Sequence, residues 1–207
     1  MSQELIDPRM LDSSVALGAH DGSALTGLGY TFISTTDISS DATIGFTGFV
    51  SGSYDAYALV LNNVVPVTDA VFLWLRTSTD GGSTYDNSAS DYMWGVHIGG
   101  SAANTHDQDT ADSEVAITGA TASAHYQVGS AAGENGVNGV IYIHAPHLVE
   151  YTTVSWSVAV MNADSGVGHA VGGGVRLSAA DVDAVQLLFS SGNLESGTVN
   201  FYGLANA

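Results

Sequence analysis

Lysine and cysteine are absent from this chain, and only three residues are proline. The cations are three arginines, Arg9, Arg76 and Arg176, set against 21 Asp and Glu for a formal charge of −18. With so few cations, binding to nucleic acid by neutralising phosphates has almost nothing to work with, and adsorption to an anionic membrane fails for the same reason. No apolar run approaches membrane-spanning length, so no membrane insertion is expected. Without cysteine there are no disulfides and no thiolate metal sites. The opening residues, MSQELIDPRM, hold no basic segment followed by an apolar one, so no secretory signal is expected.

Long charged side chains are scarce as well: Asp, Glu, Lys and Arg make up 12% of the chain. For a soluble domain this points to some surface being covered by another subunit, with Ser, Thr and Asn as the other source of polarity. The acidic excess favours solubility and suits a salty medium, where screening relieves self-repulsion.

What is present is β-forming and rich in turns. The 25 glycines and few strong helix formers leave low helix propensity almost throughout. One helical turn is plausible over residues 3–11, interrupted by Pro8; residues 1–24 otherwise read as an extended arm. The central stretch is AVFLWLRTSTDGGSTYDN, residues 70–87. Its first half is a strand apolar on both faces, with Val71, Leu73 and Leu75 on one and Phe72 and Trp74 on the other, so it needs two covers. Its second half, around Asp80-Gly81-Gly82, predicts a hairpin turn.

Residues 92–98 and 154–160 alternate with period two. Further strands are expected near residues 30–35, 44–49, 54–64, 115–118, 124–128, 140–143, 175–177, 185–189 and 198–202. Turns are expected at 37–41, at Asn62-Asn63, along the glycine stretch 166–174 and through SSGNLESG. The chain thus predicts an all-β fold, an antiparallel β-sandwich or jelly roll over residues 25–207, carrying an extended N-terminal arm over 1–24.

No catalytic constellation stands out, and the chain is not expected to be an enzyme. Ser78, Asp80, Gly82, Thr84 and Tyr85 fit the S-x-D-x-G-x-[TS]-aromatic Asp-box, a turn that folds its own Asp and hydroxyls onto the backbone. Sialidase propellers carry several such boxes beside an arginine cluster. One copy with three arginines is accounted for by turn chemistry alone. The acidic run THDQDTADSE brings Asp107, Asp109, Asp112 and Glu114 close in sequence, a candidate calcium loop or a solvated surface loop. It lacks the central glycine and flanking helices of an EF-hand; no other cofactor is expected. The pair His144 and His147 supplies too few ligands for zinc, so an interface or half-buried imidazole is the better account. Phe72, Trp74, Tyr85, Tyr92 and Trp94 are the candidate interaction residues. Tyr54, Tyr57, Tyr85, Tyr92 and Trp94, near turns, suit a sugar-stacking platform, with a core or a subunit interface as the favoured reading.

Three stretches carry a resemblance. They are Ser53-Tyr54-Asp55-Ala56-Tyr57, Thr77-Ser78-Thr79-Asp80-Gly81-Gly82-Ser83-Thr84-Tyr85-Asp86, and the closing Ser190-Ser191-Gly192-Asn193, Ser196-Gly197-Thr198 and Phe201-Tyr202-Gly203-Leu204. In that order and spacing, across residues 44–204, the chain resembles tailed-bacteriophage virion proteins of β-sandwich type: fibre, tail-tip or head-decoration proteins. The resemblance implies a homotrimer in the virion, contacts with other virion proteins or with a host surface glycan, and an N-terminal segment that anchors the module. It transfers no site residues.

Overall fold

The computed structural model describes residues 29–47, 53–101, 104–120 and 127–205. The arm at residues 1–24, with its helical turn, lies outside them. Among the described residues there is no helix. The described residues form twelve strands in two sheets: β1 (Tyr30–Asp41), β2 (Ile44–Thr47), β3 (Tyr54–Pro66), β4 (Leu73–Ser78), β5 (Tyr92–Gly100), β6 (Asn104–Asp112), β7 (Val115–Ala116), β8 (Val137–His144), β9 (Thr153–Met161), β10 (Val167–Arg176), β11 (Ala184–Phe189) and β12 (Leu194–Ala205). The larger sheet runs β1-β12-β3-β8-β9-β10-β5-β6 and the smaller β2-β11-β4-β7, with every pairing antiparallel.

This order is a jelly roll with an extension. The pairs β4–β7, β3–β8, β2–β11 and β1–β12 are nested one outside the next and alternate between the small and large sheets. A long antiparallel ribbon folded over itself gives that arrangement. The hairpins β5–β6 and β9–β10 leave the ribbon and join the large sheet beyond β8, doubling its width. The core lies between the sheets. Ile44, Phe46, Leu73, Leu75, Val185 and Leu187 from the small sheet face Tyr57, Leu59, Ile141, Ile143 and Phe201 from the large one. Phe46 and Tyr57 both pack on Phe201, with ring centroids 5.7 and 5.5 Å away.

The period-two readings hold. Tyr92, Trp94, Val96 and Ile98 on β5 and Val154, Trp156, Val158 and Val160 on β9 are all buried. They continue the core under the extension, where Val71, Val115, Ile117 and Val128 join them.

Other expectations are corrected. The glycine turn after β4 is not a hairpin between paired strands. β4 pairs with β11 and β7, while β5 belongs to the other sheet, so residues 79–91 cross between sheets. The strand itself starts later than expected, at Leu73, with Val71 held by a single bridge to Val128. Residues 37–41 continue β1 rather than turning. Asn62-Asn63 form an irregularity inside β3, with Asn63 at φ 52° and the register slipping between Leu61 and Val64. The glycine stretch 166–174 is most of strand β10. The acidic run is edge strand β6, not a loop. β12 begins at Leu194, inside the stretch read as a turn. The strand expected at 124–128 falls mostly outside the described residues.

Candidate functional site

The Asp-box crossover satisfies itself. The Ser78 hydroxyl donates to Asp80 Oδ1 at 2.8 Å and accepts from the Gly82 amide at 3.0 Å. Asp80 in turn accepts from the Thr84 amide at 2.8 Å and the Thr84 hydroxyl at 2.6 Å. Those two Thr84 bonds, with Ser78 next, hold its carboxyl down to about 2. Glycine is required at positions 81 and 82, where φ is 74° and 82°. The half-buried Tyr85 ring lies against the small sheet. Its hydroxyl sits 2.9 Å from where a Cβ on Gly45 or Gly82 would stand. The carboxylate points into its own loop, so the box braces a turn.

Arg76, Arg176 and most of the singled-out acids also hold elements together. Arg176 Nε donates to Asp86 Oδ2 at 2.6 Å, and Arg176 Nη1 to the Ser178 carbonyl. The Tyr92 hydroxyl accepts from the Thr77 amide at 2.8 Å and donates to the Asp86 carbonyl, bolting β5 to β4 across the two sheets. Arg76 Nη2 pairs with Glu114 at 3.1 Å. Trp94 Nε1 donates to Asp112 Oδ2 at 2.8 Å, and the Ala120 amide donates to Asp107 Oδ2 at 2.8 Å. Asp109 accepts from the Ala111 amide on the exposed edge. The four carboxylates of the candidate calcium loop are thus spread over Ala120, Ala111, Trp94 and Arg76, with Ser113 donating to both Asp112 and Glu114. Among the described residues no group of three or more metal-binding side chains converges.

The candidate interaction rings divide. Tyr92 and Trp94 are 0% and 3% exposed, and Phe72 is buried too, so none of the three presents a face to a ligand. Trp74 and Tyr85 are half-buried. Tyr57 lies in the core and Tyr54 packs against it.

Two exposed rings, Tyr30 and Phe32, stand on the outer face of the large sheet, and a third, Tyr151, lies in the loop between β8 and β9. Cross-strand register defines four rows of outward residues. One runs from Gln108 through Gly95, Gly173 and Ser155 on the extension to Tyr142, Ala58, Tyr202 and Phe32 on the jelly roll. A second runs His106, His97, Val171, Ser157, then Val140, Val60, Asn200, Thr35. The flanking rows run from Met93 to Tyr30 and from Asn104 to Asp37. Within these rows Asp37, at one corner, is the only Asp, Glu, Lys or Arg.

Relief on this face is uneven. Gly95 and Gly173 pair directly, and the missing side chains leave a trench of about 470 Å³ edged by Met93, Thr153 and Val175, with Asp109 at its rim. At the other end stand Tyr30 and Phe32, 51% and 56% exposed, both edge-on to Tyr202. The Tyr30 and Tyr142 hydroxyls share a hydrogen bond. His97, His106, His144 and His169 lie on the same face. His144 Nε2 meets the Ser155 hydroxyl at 2.8 Å, and burial lowers its pKa. His147 lies in the loop after β8.

No family model matches the chain, and neither a curated protein nor a solved structure matches it.

The outer face escaped the sequence reading because it is defined by residues that are missing. Its signal was present in alternate positions: Met93, Gly95, His97 and Gly99 on β5, and His169, Val171, Gly173 and Val175 on β10, all without charge.

Proposed function

We propose that the protein is a non-enzymatic structural component of a tailed-phage virion, a decoration, fibre or tail-tip module anchored to the particle through residues 1–24. The observation that carries this reading is the commitment of its chemistry to architecture. Both described arginines, the Asp-box and the acids of β6 brace strands and turns, while the widest surface is a charge-poor sheet face suited to protein contact. The jelly roll agrees by analogy, since that fold builds many viral capsid domains as well as lectins. A glycan-binding reading draws on turn aromatics, and burial of Tyr92 and Trp94 removes the rings it relied on most.

The test is deletion of residues 1–24. The truncated protein should keep its β-sheet circular dichroism and its melting transition, yet no longer co-sediment with particles. Retained attachment would overturn the arm's role.

A further inference from the structure

We infer that the outer face of the large sheet is a self-association surface, on which two copies of this chain pack face to face about a two-fold axis. This goes beyond the virion reading and does not depend on it.

Charge selects the occupant. Two copies of a chain of formal charge −18 meet here with little acid facing acid, across rows whose one formal charge is Asp37, at a corner, with Asp109 at the rim of the trench. Depletion of charge is the compositional mark of an interface core. The polar groups present are hydroxyls, amides and imidazoles, each able to donate and to accept. A face carrying both roles is complementary to itself, as an isologous contact requires. Eight strands about 4.8 Å apart and four rows about 7 Å apart give a face of roughly 1,000 Å². A stable pair needs about 800 Å² from each partner.

Shape supplies the register. In the row from Gln108 to Phe32, the midpoint lies between Ser155 on β9 and Tyr142 on β8. A two-fold axis through that midpoint lays the row on itself reversed. Tyr202 of one copy then stands over Gly95 of the other, while Ala58, buried beneath its neighbours, leaves the position opposite Gly173 low. The aromatic ridge built by Tyr202, Phe32 and Tyr30 thereby enters the trench that the two glycines leave open. Aligned sheet packing keeps such faces about 10 Å apart. The resemblance to phage proteins implies three-fold assembly; the relief of this face points to a two-fold one.

The test measures the mass of the full chain by sedimentation equilibrium, wild type beside Gly95→Glu. A Cβ at Gly95 meets only Gln108 Cβ at 3.9 Å, so the variant keeps its fold while placing a carboxylate in the trench. The wild type should be a dimer, and the variant should dissociate about 100-fold more readily or worse, with unchanged circular dichroism. Val171→Asp, in the neighbouring row, serves as the second variant should Gly95→Glu misfold. A wild type that is a monomer or a trimer, or dimers that survive both substitutions, would overturn the proposal. A full-length monomer that dimerises only after deletion of residues 1–24 would assign the face to the arm and overturn it as well. None of these masses bears on particle attachment, so the virion reading fails or stands separately.

Discussion

Tyr92 shows how one side chain can hold two sheets. Its ring is wholly buried under β5, and its hydroxyl reaches β4, bonded to the amide and hydroxyl of Thr77 and to the Asp86 carbonyl. Tyr92→Phe would keep the ring and strand Thr77's buried amide, a loss of about 1–3 kcal/mol. Desolvation is the chief reason its pKa is raised from 10.0 to about 12, outweighing the hydrogen bonds from Thr77 that lower it. The folded state therefore prefers the neutral phenol. The stability linked to that shift is fully present below pH 10 and declines as pH climbs toward about 12. Urea unfolding at pH 7, 9 and 11 checks both effects. The variant should be weaker at pH 7 and should lose less than the wild type between pH 9 and 11. Equal alkaline losses in the two proteins would disprove the linkage.

At the scale of elements, β10 is the informative strand. The run Gly172-Gly173-Gly174 reads as a loop when glycine is counted as a breaker, yet it lies in the sheet between β9 and β5. A Cβ on Gly172 would stand 2.3 Å from the Trp156 ring and 2.6 Å from the Gly95 carbonyl; one on Gly173 meets nothing nearer than 3.6 Å. Gly172→Ala should accordingly cost about 1–3 kcal/mol through overpacking. Gly173→Ala should be neutral or gain about 0.5–1 kcal/mol from a stiffer unfolded chain. Thermal melts of the two variants, one residue apart, decide the matter: equal effects would mean that Trp156 does not set the requirement.

The same strand marks the boundary of what was legible. β5 and β9 could be read because their alternation is written locally, apolar residue by apolar residue. β10 and β6 could not, because glycine and aspartate are tolerated there by tertiary partners, Trp156 for one and the Ala120 amide for the other. The nested order was equally hidden. β1 pairs with β12 across most of the chain, a pairing that no local pattern encodes. Of the site, the Asp-box was legible as a self-satisfied turn, while the charge-poor face emerged only once register aligned its rows.

For the whole molecule, charge balance is the dominant long-range term. The two described arginines are each committed to one carboxylate, Arg76 to Glu114 and Arg176 to Asp86. The remaining acids therefore repel one another with little internal compensation, and folding brings them closer than they stand in the unfolded chain. Salt acts on both terms in opposite directions. It screens the exposed repulsion strongly, because the Debye length falls from about 30 Å at 0.01 M to about 3 Å at 1 M. It weakens the two ion pairs much less, since both arginines are largely buried, with side chains 18% and 9% exposed. Repulsion among many exposed carboxylates outweighs two shielded pairs, so melting temperature should rise by several degrees from 0.01 to 1 M sodium chloride. A flat or falling curve would show that the ion pairs dominate. Adding Arg176→Met distinguishes the cases: the variant should start lower, having stranded Asp86, and still gain at least as much from salt as the wild type.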